Sequence, residues 1–125
     1  MSRLRFRDKY APSRLEQRFE ILWKEAGGPP LEREFRFDPV RRWRADFAHL
    51  PSRVLIEIEG GIWVSGRHNR AAGFVADMEK YLEAALAGWS VIRLADVHLK
   101  PGLIARLRDF ILGLEVRPES AQESS

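Results

Sequence analysis

The stretch Val54-Leu55-Ile56-Glu57-Ile58-Glu59 constrains this chain more than any other. It is β-branched and the most hydrophobic strand-like run in the sequence, bounded by Leu50-Pro51-Ser52 before it and Gly60-Gly61 after it. Side chains alternate along a strand, so Val54, Ile56 and Ile58 face one way while Leu55, Glu57 and Glu59 face the other. Two carboxylates thus share a face, about 7 Å apart, within a strand built for burial. Like charges so placed repel, and burial adds to the cost. The conflict disappears if the strand lies at an edge with its acids in water, or if a hard cation such as Mg²⁺ or Mn²⁺ binds the carboxylate oxygens.

The flanking segments set the architecture. Ser13 opens a capping box with Glu16, and Leu15, Phe19, Leu22, Trp23 and Ala26 recur at helical spacing until Gly27-Gly28-Pro29-Pro30. Residues 33–37 and 43–48 alternate polar and apolar around a turn at Asp38-Pro39, which predicts a hairpin. A loop rich in glycine and bases covers 62–71. Residues 73–87 form the next helix, with Phe74, Met78, Tyr81, Leu82 and Ala85 as its apolar stripe and Gly88 as its stop. Ser90–Leu94 reads as a short buried strand. The last helix spans about 100–114, with Leu103, Ile104, Leu107, Phe110, Ile111 and Leu114 along one side. The order α-β-β-β-α-β-α, with a helix between the third and fourth strands, predicts an α/β fold with a mixed sheet flanked by helices.

At 125 residues the chain suits one domain, expected over 1–116 with a basic arm at 1–12. The polar end 117–125 reads as a disordered tail. With no cysteine, disulfides, thiolate zinc sites and cysteine nucleophiles are excluded. His49, His68 and His98 are too scattered for a zinc motif. No apolar run reaches the ~20 residues of a membrane helix, and the basic start lacks a following apolar segment, so a cytoplasmic protein without membrane contact is expected. The net charge is +3, and 17 of the 21 basic residues are arginine. Such an excess suits a nucleic-acid binder, because guanidinium grips phosphate bidentately; it suits equally a genome that writes Arg for Lys. Residues 1–14 carry a net +4, and Arg41-Arg42-Trp43-Arg44 forms a second basic cluster around an aromatic.

Asp46 lies in the second predicted strand, on the face of Arg44 and Ala48 and opposite Phe47. If the second and third strands pair, it faces Glu57 across the ladder. An Asp from one strand and Glu-x-Glu from the next form a divalent-metal set of the kind that activates water for attack on a phosphodiester.

With Asp46 followed by Glu57-Ile58-Glu59 in this element order, the chain resembles the PD-(D/E)XK (restriction-endonuclease-like) nuclease superfamily. The likeness is closest to small phage-type endonucleases. It is carried by Arg41-Arg-Trp-Arg-Ala-Asp-Phe47, Ile56-Glu-Ile-Glu-Gly-Gly61, Gly66-Arg-His-Asn-Arg70, Gly73-Phe-Val-Ala-Asp-Met-Glu-Lys-Tyr81 and Gly88-Trp-Ser-Val-Ile-Arg93, and covers about residues 13–95. The resemblance implies the αβββαβα core and Mg²⁺-dependent cleavage of DNA, with Mn²⁺ as a substitute. Asp46 and Glu57 would be metal ligands, and Glu16 matches the acid that many members, archaeal-type Holliday junction resolvases among them, present from the first helix. Glu16 also has a capping task. Where the superfamily pattern has a lysine two residues after Glu57, this chain has Glu59; some members supply the lysine from the following helix, where Lys80 lies beside Asp77. Lys80 either leans toward the sheet or pairs locally. The implied catalytic set is therefore Glu16, Asp46, Glu57, Glu59 and Lys80.

Arg41, Arg42, Arg44, Arg67, His68 and Arg70 are the implied DNA contacts, with His68 able to protonate a leaving oxygen or to hydrogen-bond a phosphate. Trp43 and Trp63 either stack on bases or belong to the core. The expected activity is that of a phage-type Holliday junction resolvase acting in DNA recombination as a homodimer, since a four-way junction takes two symmetric cuts. A nicking endonuclease of the very-short-patch mismatch-repair kind and a catalytically silent DNA-binding module are the alternatives.

Overall fold

The computed structural model describes residues 11–60 and 70–124, with the side chains at 70–72, 74 and 115–124 left out. The chain runs α1 (Arg14–Glu25), β1 (Glu32–Arg36), β2 (Arg44–His49), β3 (Val54–Glu59), α2 (Arg70–Leu86), β4 (Ser90–Ala95), a short 3₁₀ turn (Asp96–His98) and α3 (Pro101–Ser124). The strands form one sheet in the order β1-β2-β3-β4. β1, β2 and β3 are antiparallel neighbours, and β3 pairs with β4 in parallel after the α2 crossover. The element order and mixed sheet agree with the α/β reading. Residues 117–124, read from composition as a disordered tail, lie within α3 instead; extending a helix already formed costs far less than starting one.

β3 is the centre of the molecule. Val54, Ile56 and Ile58 pack with Phe19 and Trp23 of α1, Phe47 of β2, and Leu99, Ile104, Leu107 and Ile111 from the α3 side. On the other face Leu55 joins Phe37, Ala45, Ala48, Ala84 of α2 and Trp89. Helices α1 and α3 thus cover one face of the sheet and α2 the other, the layering that a sheet apolar on both sides requires.

The α2 stripe differs from its sequence reading. Met78 and Leu82 are more than half exposed and Ala85 is exposed, while Lys80, Tyr81 and Ala84 turn inward. Helical spacing identifies an apolar face without saying which face meets the sheet.

The hairpin holds a second departure. Regular alternation would keep Ala45 and Phe47 on one face of β2, yet they lie in different cores. β1 changes face at the same level: Arg33 reaches Glu16 of α1, whereas Phe35 packs on Trp89. The pairs Arg33↔Phe47 and Phe35↔Ala45 flank the switch, and between them Glu34 takes a left-handed backbone with φ 49°. A positive φ at a side-chain-bearing residue is strained. Asp46 therefore does not sit on a regular face with Arg44 and Ala48, as the sequence reading has it. It stands opposite Glu34 at the point where the ladder opens.

Candidate metal centre

Three elements deliver carboxylates to that opening. Ser13 Oγ accepts the amide of Glu16 at 3.1 Å, which starts α1 and places Glu16 in its first turn. The break in β1 turns Glu34 inward, and Asp46 enters from β2. One carboxylate oxygen from each of Glu16, Glu34 and Asp46 lies within 4.8 Å of the others. Asp46 is held from β3, whose Ile58 amide donates to Oδ2 at 2.7 Å. Glu16 Oε1 is buried without a hydrogen-bond partner among the described residues. Arg33 Nη2 stands 3.7 Å from Glu16 and 3.6 Å from Glu34, one guanidinium beside two of the three acids.

The electrostatics follow. Burial raises the Glu16 carboxyl above the ordinary range, and the charges of Asp46 and Glu34 push it further. Burial also raises Asp46, with Glu34 adding to the rise, against the lowering pull of the Ile58 amide and Lys80. Three converging acids, one with a buried oxygen that makes no hydrogen bond among the described residues and meets the Arg33 guanidinium at 3.7 Å, suit a hard divalent cation. This donor set fits Mg²⁺ or Mn²⁺.

The β3 acids are served differently. Glu57 is buried, and its oxygens accept from Lys80 Nζ at 3.2 and 3.4 Å and from the Tyr81 hydroxyl at 3.0 Å. Burial raises the Glu57 carboxyl, Lys80 opposes the rise, and the charge of Asp46 adds to it. Glu59 accepts from Arg93 Nε of β4 at 2.9 Å, and the Arg93 guanidinium lies over the Tyr81 ring, 4.6 Å from its centroid. Burial and Glu57 together hold the Tyr81 phenol well above its ordinary value. The crowding inferred for Glu57 and Glu59 is thus relieved by a protein cation for each.

Of the sequence candidates, Glu16 and Asp46 converge directly, Glu57 lies close enough for Asp46 to act on its charge, and Lys80 faces the sheet rather than Asp77. Glu59 is engaged by Arg93. Two contributors escape the sequence reading: Glu34, and Tyr81, there a member of an apolar stripe. Pairing the two expected strands inward from Phe37 opposite Trp43 sets Glu34 opposite Asp46, an unfavourable pair of acids and hence a signal.

Among the basic candidates, Arg44 Nη1 donates to the Glu34 carbonyl at 3.0 Å, bracing the strained residue. Arg41 lies over Trp43 and pairs with Asp38, while Arg42 is exposed. Trp43 is half-buried and stacks on Phe37. Arg67, His68 and Trp63 lie outside the described residues, and of Arg70 only the backbone at the start of α2 is described. His49 and His98, for which the sequence suggests no partner, have structural ones. His49 Nδ1 lies 2.7 Å from Ser52 Oγ, and His98 Nδ1 accepts the Ala95 amide.

Comparison with protein-family models, curated proteins and solved structures returns no match.

Proposed function

We propose that the chain is a metal-dependent DNA endonuclease with a PD-(D/E)XK core, and more particularly a phage-type Holliday junction resolvase that works as a homodimer. The observation that carries this reading is the convergence of Glu16, Glu34 and Asp46 beside a β3 glutamate that holds a lysine. Lys80 brings an ammonium from α2 to Glu57, so the cation that the superfamily pattern places two residues along β3 has a substitute from the next helix. The motif resemblance around Asp46 and Glu57 supports the same conclusion.

Glu16, Glu34 and Asp46 would hold Mg²⁺ or Mn²⁺, with Glu57 at the margin of the set. Such a cation would acidify an attacking water and offset charge developing on the phosphate. The protein's own groups do the rest. The Ile58 amide fixes the Asp46 carboxylate, so little reorganisation is needed when substrate arrives. The Tyr81 hydroxyl and Lys80 orient Glu57 between them. Lys80 Nζ, held at 3.2 Å by Glu57, steadies negative charge on the phosphoryl oxygens. Arg42, exposed on the hairpin, meets flanking phosphate, which makes binding fall with salt.

The test is incubation of the protein with Mg²⁺ and labelled four-way junction, mismatched duplex and linear duplex, beside Asp46→Asn. Paired nicks in the junction, absent with Asp46→Asn, support the resolvase. Cuts confined to mismatched duplex move the reading to the repair nickases, and binding without metal-dependent cutting to a silent DNA-binding module.

A further inference from the structure

Helix α2 has two working faces. One carries Lys80, Tyr81 and Ala84 to the sheet. The other carries Val75, Met78, Leu82 and Leu86, spaced by three, four and four residues, with exposures from 55% at Leu82 to 72% at Leu86. At the Leu86 end the stripe continues into a groove of about 630 Å³ between α2 and the β1–β2 hairpin, where Phe37, Pro39, Val40 and Arg41 face Glu83 and Leu86. Val40 at the hairpin tip is 83% exposed. Five large apolar side chains thus share one exposed surface, and a contiguous apolar patch rimmed by polar residues is a feature of interaction sites.

We infer that this surface is where a second copy of the chain docks, with the two α2 helices antiparallel across a two-fold axis. The stripe reads nearly the same in both directions: about a centre near residue 80, Val75 of one copy meets Leu86 of the other, and Met78 meets Leu82. A two-fold contact needs this self-complementarity. Charge agrees. The exposed acid beside the stripe is Glu79, near the middle of α2, and Arg41 of the hairpin flanks the Leu86 end. Antiparallel pairing sets each Arg41 near Val75 of the other copy, about one turn from its Glu79, so the complementary contact occurs twice. The same acids argue against DNA on this face, since Glu79 and Glu83 would meet phosphate. A membrane surface is disfavoured because such helices carry bases, not acids, beside their apolar stripe.

The inference specifies the homodimer of the proposed nuclease, but it is tested without DNA or metal, so its failure and that of the catalytic reading are distinguishable. Sedimentation equilibrium should show a dimer. Leu82→Glu should raise its dissociation constant by about 100-fold or more, because each substitution is felt twice at a two-fold contact. Leu86→Lys, at the most exposed position of the stripe, should act in the same direction; circular dichroism checks that both variants fold. Since the chain has no cysteine, M78C and L82C chains mixed and oxidised should form a crosslinked pair, whereas F110C chains, altered on α3, should not. A monomer at every concentration measured, or a dimer indifferent to both charge substitutions, overturns the inference.

Discussion

Glu34 is where backbone strain and like charge meet in this molecule. Its left-handed backbone costs about 1–3 kcal/mol in general for a residue with a side chain, and it opposes another acid, Asp46, across the opened ladder. Glu34→Gly therefore removes both the strain and a like charge. Its expected outcome is a metal-free protein more stable by about 1 kcal/mol in denaturant melts, with divalent-cation affinity and cleavage reduced. A loss of stability would mean that the ion pair of its carboxylate with Arg33 outweighs the strain. Lys80 presents the opposite case. Lys80→Met leaves Glu57 buried with only the Tyr81 hydroxyl as donor, and the carboxyl should then take up a proton more readily. Cleavage should fall by about 100-fold or more if Lys80 steadies the phosphate, while salt-dependent DNA binding changes little. Full cleavage by Lys80→Met would show that another cation has that task.

The elements themselves were legible in the sequence because their signals are local. Helix α1 has its cap at Ser13 and a tight exit through Gly27 and Gly28, and β3 announces itself by composition alone. Gly28 is fixed by contact: a Cβ there would fall 2.1 Å from Trp23 Cε2, and Trp23 is tied by its indole N–H to the Pro29 carbonyl at 2.7 Å. Gly28→Ala should cost roughly 1–3 kcal/mol through overpacking, measurable as a lower unfolding midpoint at unchanged m-value. What the sequence concealed was the switch of face at Glu34 and Asp46. A period-two pattern assumes an unbroken strand, and nothing in Arg33-Glu34-Phe35 marks a residue that will adopt a positive φ. The orientation of α2 was hidden for a related reason. Its apolar residues and its inward Lys80 and Tyr81 lie on different sides, and burial of Lys80 makes sense only once Glu57 is seen beneath it. Of the three acids that converge, motif and spacing single out Glu16 and Asp46, while Glu34 joins them through the register of the hairpin.

At the scale of the whole molecule, a modest net charge of +3 conceals a separation between buried acids and peripheral arginines. Burial raises the carboxyls of Glu16, Asp46 and Glu57 alike, so the metal-free native state keeps protons that the unfolded chain releases near pH 4. The contribution of these three groups to stability is consequently greatest below the unfolded carboxyl range and is lost as pH rises through the raised native values. Thermal melts without metal should show the melting temperature falling across that window. Added Mn²⁺ should restore it, more strongly at pH 7.5 than at pH 5, since protons and cation compete for the same oxygens. The most direct measurement is a titration of Mn²⁺ followed by electron paramagnetic resonance, with wild-type protein beside Glu16→Gln, Glu34→Gln and Asp46→Asn. If these acids form the cation site of a nuclease, each substitution should weaken Mn²⁺ binding by at least about tenfold, about 1.4 kcal/mol, with Asp46→Asn the most severe. Mn²⁺ binding that is unaltered in all three variants would contradict it.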